Sequence, residues 1–313
     1  MIMIHDMRDG VRVVGHYLCK EKLLQKTKAG KDYYSLLLQD KTGTIHCRIW
    51  NITPLIGEFS QGDVVLIDGT VVTYADNLQL NVQRLRRSEP GEYDPMDLLA
   101  QSSRDLEEMM QEIESWIDQV SDPWLQKLLN AFYGDPALRG RILKHPAAKS
   151  VHHNFIGGYL EHVNSVTEIA AFLAGKYDGV DRDMVIAGAL LHDIGKLWEL
   201  APIPPGDYTK AGQLIGHIMI GYSKIHDQIA RIEGFPVEKA MLLEHLILAH
   251  HGELEYGSPK VPMTKEAMIV HLADNTDAKM EIVLESLAAD RSDSEFTEYN
   301  RILERNLYKG NTN

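Results

Sequence analysis

Apolar and polar positions alternate through residues 11–85, and from residue 96 onward the apolar ones recur every three or four. The alternating part resolves into five runs, 11–17, 33–39, 44–50, 64–74 and 78–85, rich in β-branched and aromatic residues. Asp40-Lys41-Thr42-Gly43 separates the second run from the third, and Ala75-Asp76-Asn77 the fourth from the fifth, both with turn-forming residues. Five short strands in about 80 residues suit a small closed barrel. Ser88 to Pro95 is polar and contains Pro and Gly, which marks a break. Beyond it Leu106, Met109, Met110, Ile113, Trp116, Ile117 and Val120 follow helical spacing. Helices separated by Gly and Pro breaks are expected to about residue 308, with the last four residues frayed. The expectation is a multidomain chain, a small all-β barrel followed by an all-α domain. Its boundaries fall at 1–90 for the barrel, 91–149 for a helical linker or support, and 150–313 for the second domain.

The period of two assigns faces to the hairpin of the second and third runs. With Tyr34, Leu36 and Leu38 inward, and Ile45, Cys47 and Ile49 inward on the next strand, the outer face carries Tyr33, Ser35, Leu37 and Gln39, then His46, Arg48 and Trp50. Lys26, Lys28 and Lys31 lie in the loop before it. Aromatic rings stack on bases and cations pair with phosphates, so Lys28, Lys31, Tyr33, His46, Arg48 and Trp50 are candidate nucleic-acid-binding residues. The alternative is a hairpin whose aromatics pack on the rest of the chain.

Charge sharpens this division. The formal net charge is −13. Residues 8–88 hold 12 Lys/Arg against 8 Asp/Glu, a net of +4, whereas residues 89–313 hold 20 against 36, a net of −16, and Asp6 supplies the last −1. A basic first quarter on an acidic chain points to different tasks for the two parts. Cys19 and Cys47 are too few for a disulfide framework and fit reduced thiols in the cytoplasm. No apolar run is long enough for a membrane span, and residues 1–10 lack the apolar segment of a secretory signal.

The chemistry concentrates further on. Ten of the 14 histidines lie between His152 and His271, several in apolar helical surroundings. An apolar helix through Leu190-Leu191 delivers His192-Asp193, then Gly195 and Lys196; Glu161-His162 precedes it by thirty residues, and His271-Leu272-Ala273-Asp274 follows. Imidazole and carboxylate together suit a transition-metal ion, and His162, His192, Asp193 and Asp274 would complete one site. His217, His250 and His251 suggest a second ion with Asp193 as the bridge. Two divalent ions about 3.5–4 Å apart activate a water for attack on phosphorus and neutralise the charge that develops there. Lys196, three residues after Asp193, is a candidate phosphate ligand, with a surface lysine at a helix end as the alternative. His153 precedes the Gly157-Gly158 turn and is a candidate for the leaving-group acid, beside ordinary water. His271 is a candidate to orient Asp274. His152, His226 and His245 read as structural.

The run Lys28-x-Gly30-x-x-Tyr33-x-x-Leu36-x-Leu38-x-Asp40-x-x-Gly43-x-Ile45 to Trp50 resembles the OB-fold of the tRNA-anticodon-binding type. His162, His192-Asp193 and Asp274 match the pattern of the HD superfamily of metal-dependent phosphohydrolases, and His217, His250 and His251 match its binuclear branch. The pairing of the two domains, Arg8-Asp9-Gly10 through Trp50, and His152-His153-Asn154-Phe155-Ile156-Gly157-Gly158 resemble the YhaM family of bacterial 3′–5′ exoribonucleases. That resemblance implies an all-β OB barrel before an all-α HD domain. It implies removal of nucleotides from the 3′ end of single-stranded RNA, with Mn²⁺ as the ion. Single-stranded DNA stays open as a second substrate, and a homo-oligomer is compatible. Two other readings stand beside it: an HD phosphohydrolase of nucleotides or cyclic dinucleotides with a regulatory barrel, and a non-catalytic RNA-binding protein. The signatures of relatives specific for cyclic di-GMP are not evident after His192.

Overall fold

A computed structural model describes residues 1–74, 77–99, 101–102, 104–147, 155–201, 208–290, 292 and 294–310. The chain divides into two compact units, Met1–Gln101 and Ser102–Asn313. Among the described residues no helix is long and apolar enough to cross a membrane.

The first unit is a closed five-stranded barrel of β1 (Arg12–Lys26), β2 (Asp32–Asp40), β3 (Gly43–Ile49), β4 (Val64–Tyr74) and β5 (Asn77–Arg87), in the order β1-β2-β3-β5-β4. Closure depends on the length of β1. Arg12–Leu18 pair with β4, and from Leu18 to Lys26 the strand pairs with β2, with a register shift between Cys19 and Glu21. The sequence pattern shows only the first half of this strand. Past Cys19 the charged Lys20 and Glu21 and the exposed pair Leu23-Leu24 face no core, so alternation is lost although the ladder continues. β3 and β5 run parallel, with His46 opposite Gln79 and Arg48 opposite Asn81. Leu36, Leu38, Ile45, Cys47 and Ile49 are buried together with Val65, Ile67 and Leu80, as the period of two requires. Gln39 breaks the pattern. Expected outside, it is buried, and its side-chain amide donates to the Leu98 carbonyl (3.2 Å), because the chain after the barrel covers that end.

The second unit is helical: α1 (Leu106–Asp118), α2 (Pro123–Tyr133), α3 (Pro136–Ile142), α4 (Gly158–Ala174), α5 (Arg182–Leu191), α6 (Lys196–Glu199), α7 (Lys210–Ile215), α8 (His217–Ile229), α9 (Val237–Ala249) and α10 (Lys265–Ala289). Asp105, Asp122, Asp135 and Asp181 cap α1, α2, α3 and α5 by accepting from first-turn amides. Every residue of α5 from Met184 to Leu191 is buried, the mark of a helix at the centre of a core. α4 and α10 pack on it and on each other. Helix stops at Ala289, short of residue 308. Asp290 accepts from the Ser292 amide (2.9 Å) and from the Lys309 ammonium (2.9 Å), which favours a turn over another helical residue. The chain then folds back on itself, with the Thr297 amide on the Leu307 carbonyl (2.8 Å).

Candidate metal centre

The His192-Asp193 pair stands just past α5, in a tight turn closed by the Lys196 amide on the Asp193 carbonyl (2.9 Å). Gly195 lets α8 approach. A Cβ there would lie 2.0 Å from the His217 carbonyl oxygen and 2.6 Å from the Gly221 nitrogen, so only glycine admits the first turn of α8 against the pair. His162 comes from the first turns of α4, Asp274 from the middle of α10, and His250 from the end of α9. These side chains are buried or nearly so.

One oxygen of Asp193 faces each of two histidine groups. Its Oδ2 is 3.2 Å from His162 Nε2 and 3.4 Å from His192 Nε2, and Asp274 Oδ1 lies 3.4 Å and 3.8 Å from the same two nitrogens. Its Oδ1 faces His217 Nε2 at 3.4 Å and His250 Nε2 at 3.7 Å. The potential ligand atoms of His162, His192 and Asp193 lie within 4.8 Å of one another, as do those of His217, His250 and His251.

The distal nitrogens settle what the near ones present. His192 Nδ1 donates to the Ala189 carbonyl (2.7 Å) and His250 Nδ1 to the Ile247 carbonyl (2.7 Å). His162 Nδ1 faces Asp277 Oδ2 (2.7 Å), and His217 Nδ1 faces Glu199 Oε1 (3.1 Å). Each neutral ring therefore carries its hydrogen on Nδ1 and turns an Nε2 lone pair inward. Nε2 lone pairs, the Asp193 and Asp274 oxygens and the Lys196 ammonium meet at the centre, a donor set that suits a bound cation. Asp193 Oδ1, His217 Nε2 and His250 Nε2 are buried with no hydrogen-bond partner, so the residues present fit a metal ion.

For His162 the titration tendency runs the other way, toward the charged ring. Burial opposes charge on His162, but Asp193, Asp274 and Asp277 outweigh it and raise its pKa well above the usual value. Burial likewise opposes ionisation of Asp193, yet Lys196 and the histidines hold it well below the ordinary range. His250 is lowered, chiefly by burial. Lys196 Nζ lies 2.5 Å from Asp193 Oδ2 and is raised, the carboxylates overcoming its desolvation.

The structure brings together His162, His192, Asp193, Lys196, His217, His250, His251 and Asp274. His153 lies outside the described residues. His271 Nδ1 faces the His250 carbonyl (2.8 Å), the His245 ring accepts from the Met263 amide (2.9 Å), and the exposed His226 pairs with Glu244 (2.7 Å). The sequence reading missed Asp277 and Glu199. Helical spacing could have found Asp277, one turn after Asp274.

On the barrel, the outer side of β2 and β3 gathers the other candidates. The rings of Tyr33 and Trp50 are 4.8 Å apart, and the indole nitrogen donates to Asn81 (3.1 Å). Arg48 donates to Ser35 (2.8 Å). His46, Lys28 and Lys31 are exposed, and Lys31 reaches Asn51.

Residues 159–279 match the HD domain, and residues 19–87 match the OB-fold nucleic acid binding domain. The chain is thus an HD-domain hydrolase that uses divalent metal, with an OB-fold module at its N-terminal side. It is 36% identical over 283 residues to the 3′-5′ exoribonuclease YhaM of Geobacillus sp. (strain WCH70), covering 90% of this chain and 86% of that protein. The chain belongs to the YhaM family. Among solved structures it is similar to the second OB-fold domain of replication protein A from Methanococcus maripaludis, at 21% identity over 29% of this chain and 98% of that one, with a TM-score of 0.24. A replication protein A heterotrimer bound to ssDNA follows, at 14% identity over 28% and 64%, with a TM-score of 0.22.

Proposed function

We propose that this chain is a metal-dependent 3′–5′ exoribonuclease of the cytoplasm that hydrolyses single-stranded RNA to nucleoside monophosphates. The observation that carries the reading is the buried Asp193 carboxylate, with one oxygen facing each histidine group. In this reading His162, His192, Asp193 and Asp274 hold one ion, and Asp193, His217, His250 and His251 hold the other, Mn²⁺ in both. When bound, the ions supply an activated water and neutralise the scissile phosphate. Asp193 and Asp274 stay ionised, held so by the cations and histidines around them. Lys196 brings a protonated amine to the edge of the cluster and contacts the scissile phosphate. Cleavage breaks the bond from phosphorus to the 3′ oxygen of the preceding nucleotide, and His153 or water returns a proton to that oxygen. Tyr33 and Trp50 stack on upstream bases while His46, Arg48, Lys28 and Lys31 pair with the backbone, which makes affinity fall with salt.

The test is digestion of 5′-labelled single-stranded RNA with Mn²⁺, beside single-stranded DNA, cyclic dinucleotides and nucleoside triphosphates. A ladder of labelled strands shortened from the 3′ end is expected. Turnover of the small nucleotides with RNA left intact would overturn the proposal.

A further inference from the structure

We propose that Asp277 and Glu199 are positioning residues, each fixing the tautomer of one histidine in one of the two groups, and thereby setting the affinity of that group alone. The inference rests on the two-ion reading above.

Four of the five imidazoles in the two groups, those of His162, His192, His217 and His250, have an acceptor at Nδ1, and these acceptors are of two kinds. His192 and His250 follow the ends of α5 and α9, where the carbonyls three residues back are free of helical partners and accept from Nδ1. These acceptors come with the helix geometry. His162 lies inside α4 and His217 opens α8, so neither has such a carbonyl in reach. A carboxylate replaces it in each case.

Asp277 is 5% exposed and held at both oxygens, by His162 at Oδ2 and by the Ser165 hydroxyl at Oδ1. It stands one turn beyond Asp274 on α10, so one helix presents a candidate ligand and the group that orients the opposite ligand. Glu199 is 8% exposed. Its Oε1 accepts from both the main-chain nitrogen (2.9 Å) and Nδ1 (3.1 Å) of His217. The residue before α8 is Gly216, which offers no side-chain cap, so Glu199 caps this helix from outside while it turns the ring. Its own carbonyl is pinned by the Thr209 amide (2.8 Å).

A carboxylate on Nδ1 holds the hydrogen there and raises the basicity of Nε2; losing such a partner costs about 10–100-fold in metal affinity. The two carboxylates serve different groups, so the losses should be separable. A general loosening of the fold would weaken both groups together.

The experiment is Mn²⁺ titration of the full chain by calorimetry, with histidine ¹⁵N spectra of the metal-free and Zn²⁺-loaded protein. Asp277→Ala should weaken one binding event by about 10–100-fold and leave the other within about 2-fold, and the His162 ring should lose its single Nδ1–H form. Glu199→Ala should do the same to the other event and to His217. Asp277→Asn and Glu199→Gln still accept from Nδ1–H, so they should keep the tautomer and recover part of the affinity; they also serve if the alanine variants do not fold. A wild-type chain that binds fewer than two ions refutes the two-ion reading itself. Two wild-type events that Asp277→Ala and Glu199→Ala weaken equally, or not at all, refute the positioning roles alone.

Discussion

Gly195→Ala tests how closely the second histidine group depends on the fold around it. The added Cβ would lie 2.0 Å from the His217 carbonyl oxygen, where ordinary contact begins at 3.4 Å, so the first turn of α8 must retreat by 1.4 Å along that line. The Gly221 nitrogen at 2.6 Å blocks the same space, so sliding along α8 does not relieve it. His217 opens that turn, so its Nε2 moves away from Asp193 Oδ1, now 3.4 Å distant. Ligand sets tolerate about 0.5 Å of displacement, and an error of about 1 Å in a reacting geometry costs roughly 100-fold. Overpacking itself costs about 1–3 kcal/mol, which a core of this extent survives. On the two-ion Mn²⁺ proposal, the expected outcome is a folded protein with Tm lowered by a few degrees, one tightly bound ion where the proposal gives the unaltered chain two, and exonuclease kcat down by about 100-fold. Thermal melting, metal analysis and single-turnover digestion measure the three. A Gly195→Ala protein with two ions and wild-type turnover would refute the claim that this contact holds the second group in place.

Asp193→Ala removes the carboxylate shared by both groups, so hydrolysis should fall to about one-thousandth or less while RNA retention in a filter assay stays near wild type; turnover near wild type with added Mn²⁺ would remove Asp193 from the centre. Arg48→Ala combined with Trp50→Ala removes a stacking ring worth about 1–3 kcal/mol per base, so KM on a long strand should rise roughly 5-fold or more and KM on a dinucleotide should hardly move; equal losses on both would assign these residues to the fold. For pH, the carboxylates raise His162 above its unfolded value near 6.5 despite burial, so its contribution is complete below about pH 6.5 and is lost as pH rises through the folded value. The metal-free Tm should therefore fall as pH rises above about 6.5 while Mn²⁺ affinity rises, because the ion takes the place of the proton; a metal-free Tm that climbs with pH in that range contradicts the assignment.

The parts of this molecule legible in the sequence are those where one local rule decides. The inward set Leu36, Leu38, Ile45, Cys47 and Ile49 follows from the pleat alone. The buried α5 follows from an uninterrupted apolar run that ends on His192-Asp193. Where a second part of the chain decides, the pattern misleads. Gln39 is polar and buried because Leu98 supplies its acceptor 59 residues away. The second half of β1 has no apolar face because its role is to close the ladder. The turn at Asp290 depends on Lys309, 19 residues on. The histidines of the centre stand out because apolar surroundings make them unusual. Glu199 does not, since an acidic residue on a helix is ordinary until its partner is known, and Asp277 is marked only by its place one turn after Asp274.

The centre also explains why so much core surrounds it. Asp193 Oδ1, His217 Nε2 and His250 Nε2 are three of the five buried side-chain polar atoms without partners among the described residues. Each such atom costs about 1–3 kcal/mol, so the three together cost about 3–9 kcal/mol, a large part of the 5–15 kcal/mol that holds a domain folded. Proximity does not relieve them, because His217 Nε2 and Asp193 Oδ1 meet at 3.4 Å with no hydrogen between them once Glu199 holds the ring proton. A fold selected for stability alone would fill these positions with apolar side chains, as it does at Leu190 and Leu191 just before them. The unsatisfied atoms persist because α4, α5, α9 and α10 bury enough apolar surface to offset them, and because, on the function proposed above, a bound cation would turn each into a ligand. The apolar core and the polar centre are therefore two halves of one arrangement. The first keeps the lone pairs converged while the metal is absent, and the second makes metal binding contribute directly to folding stability.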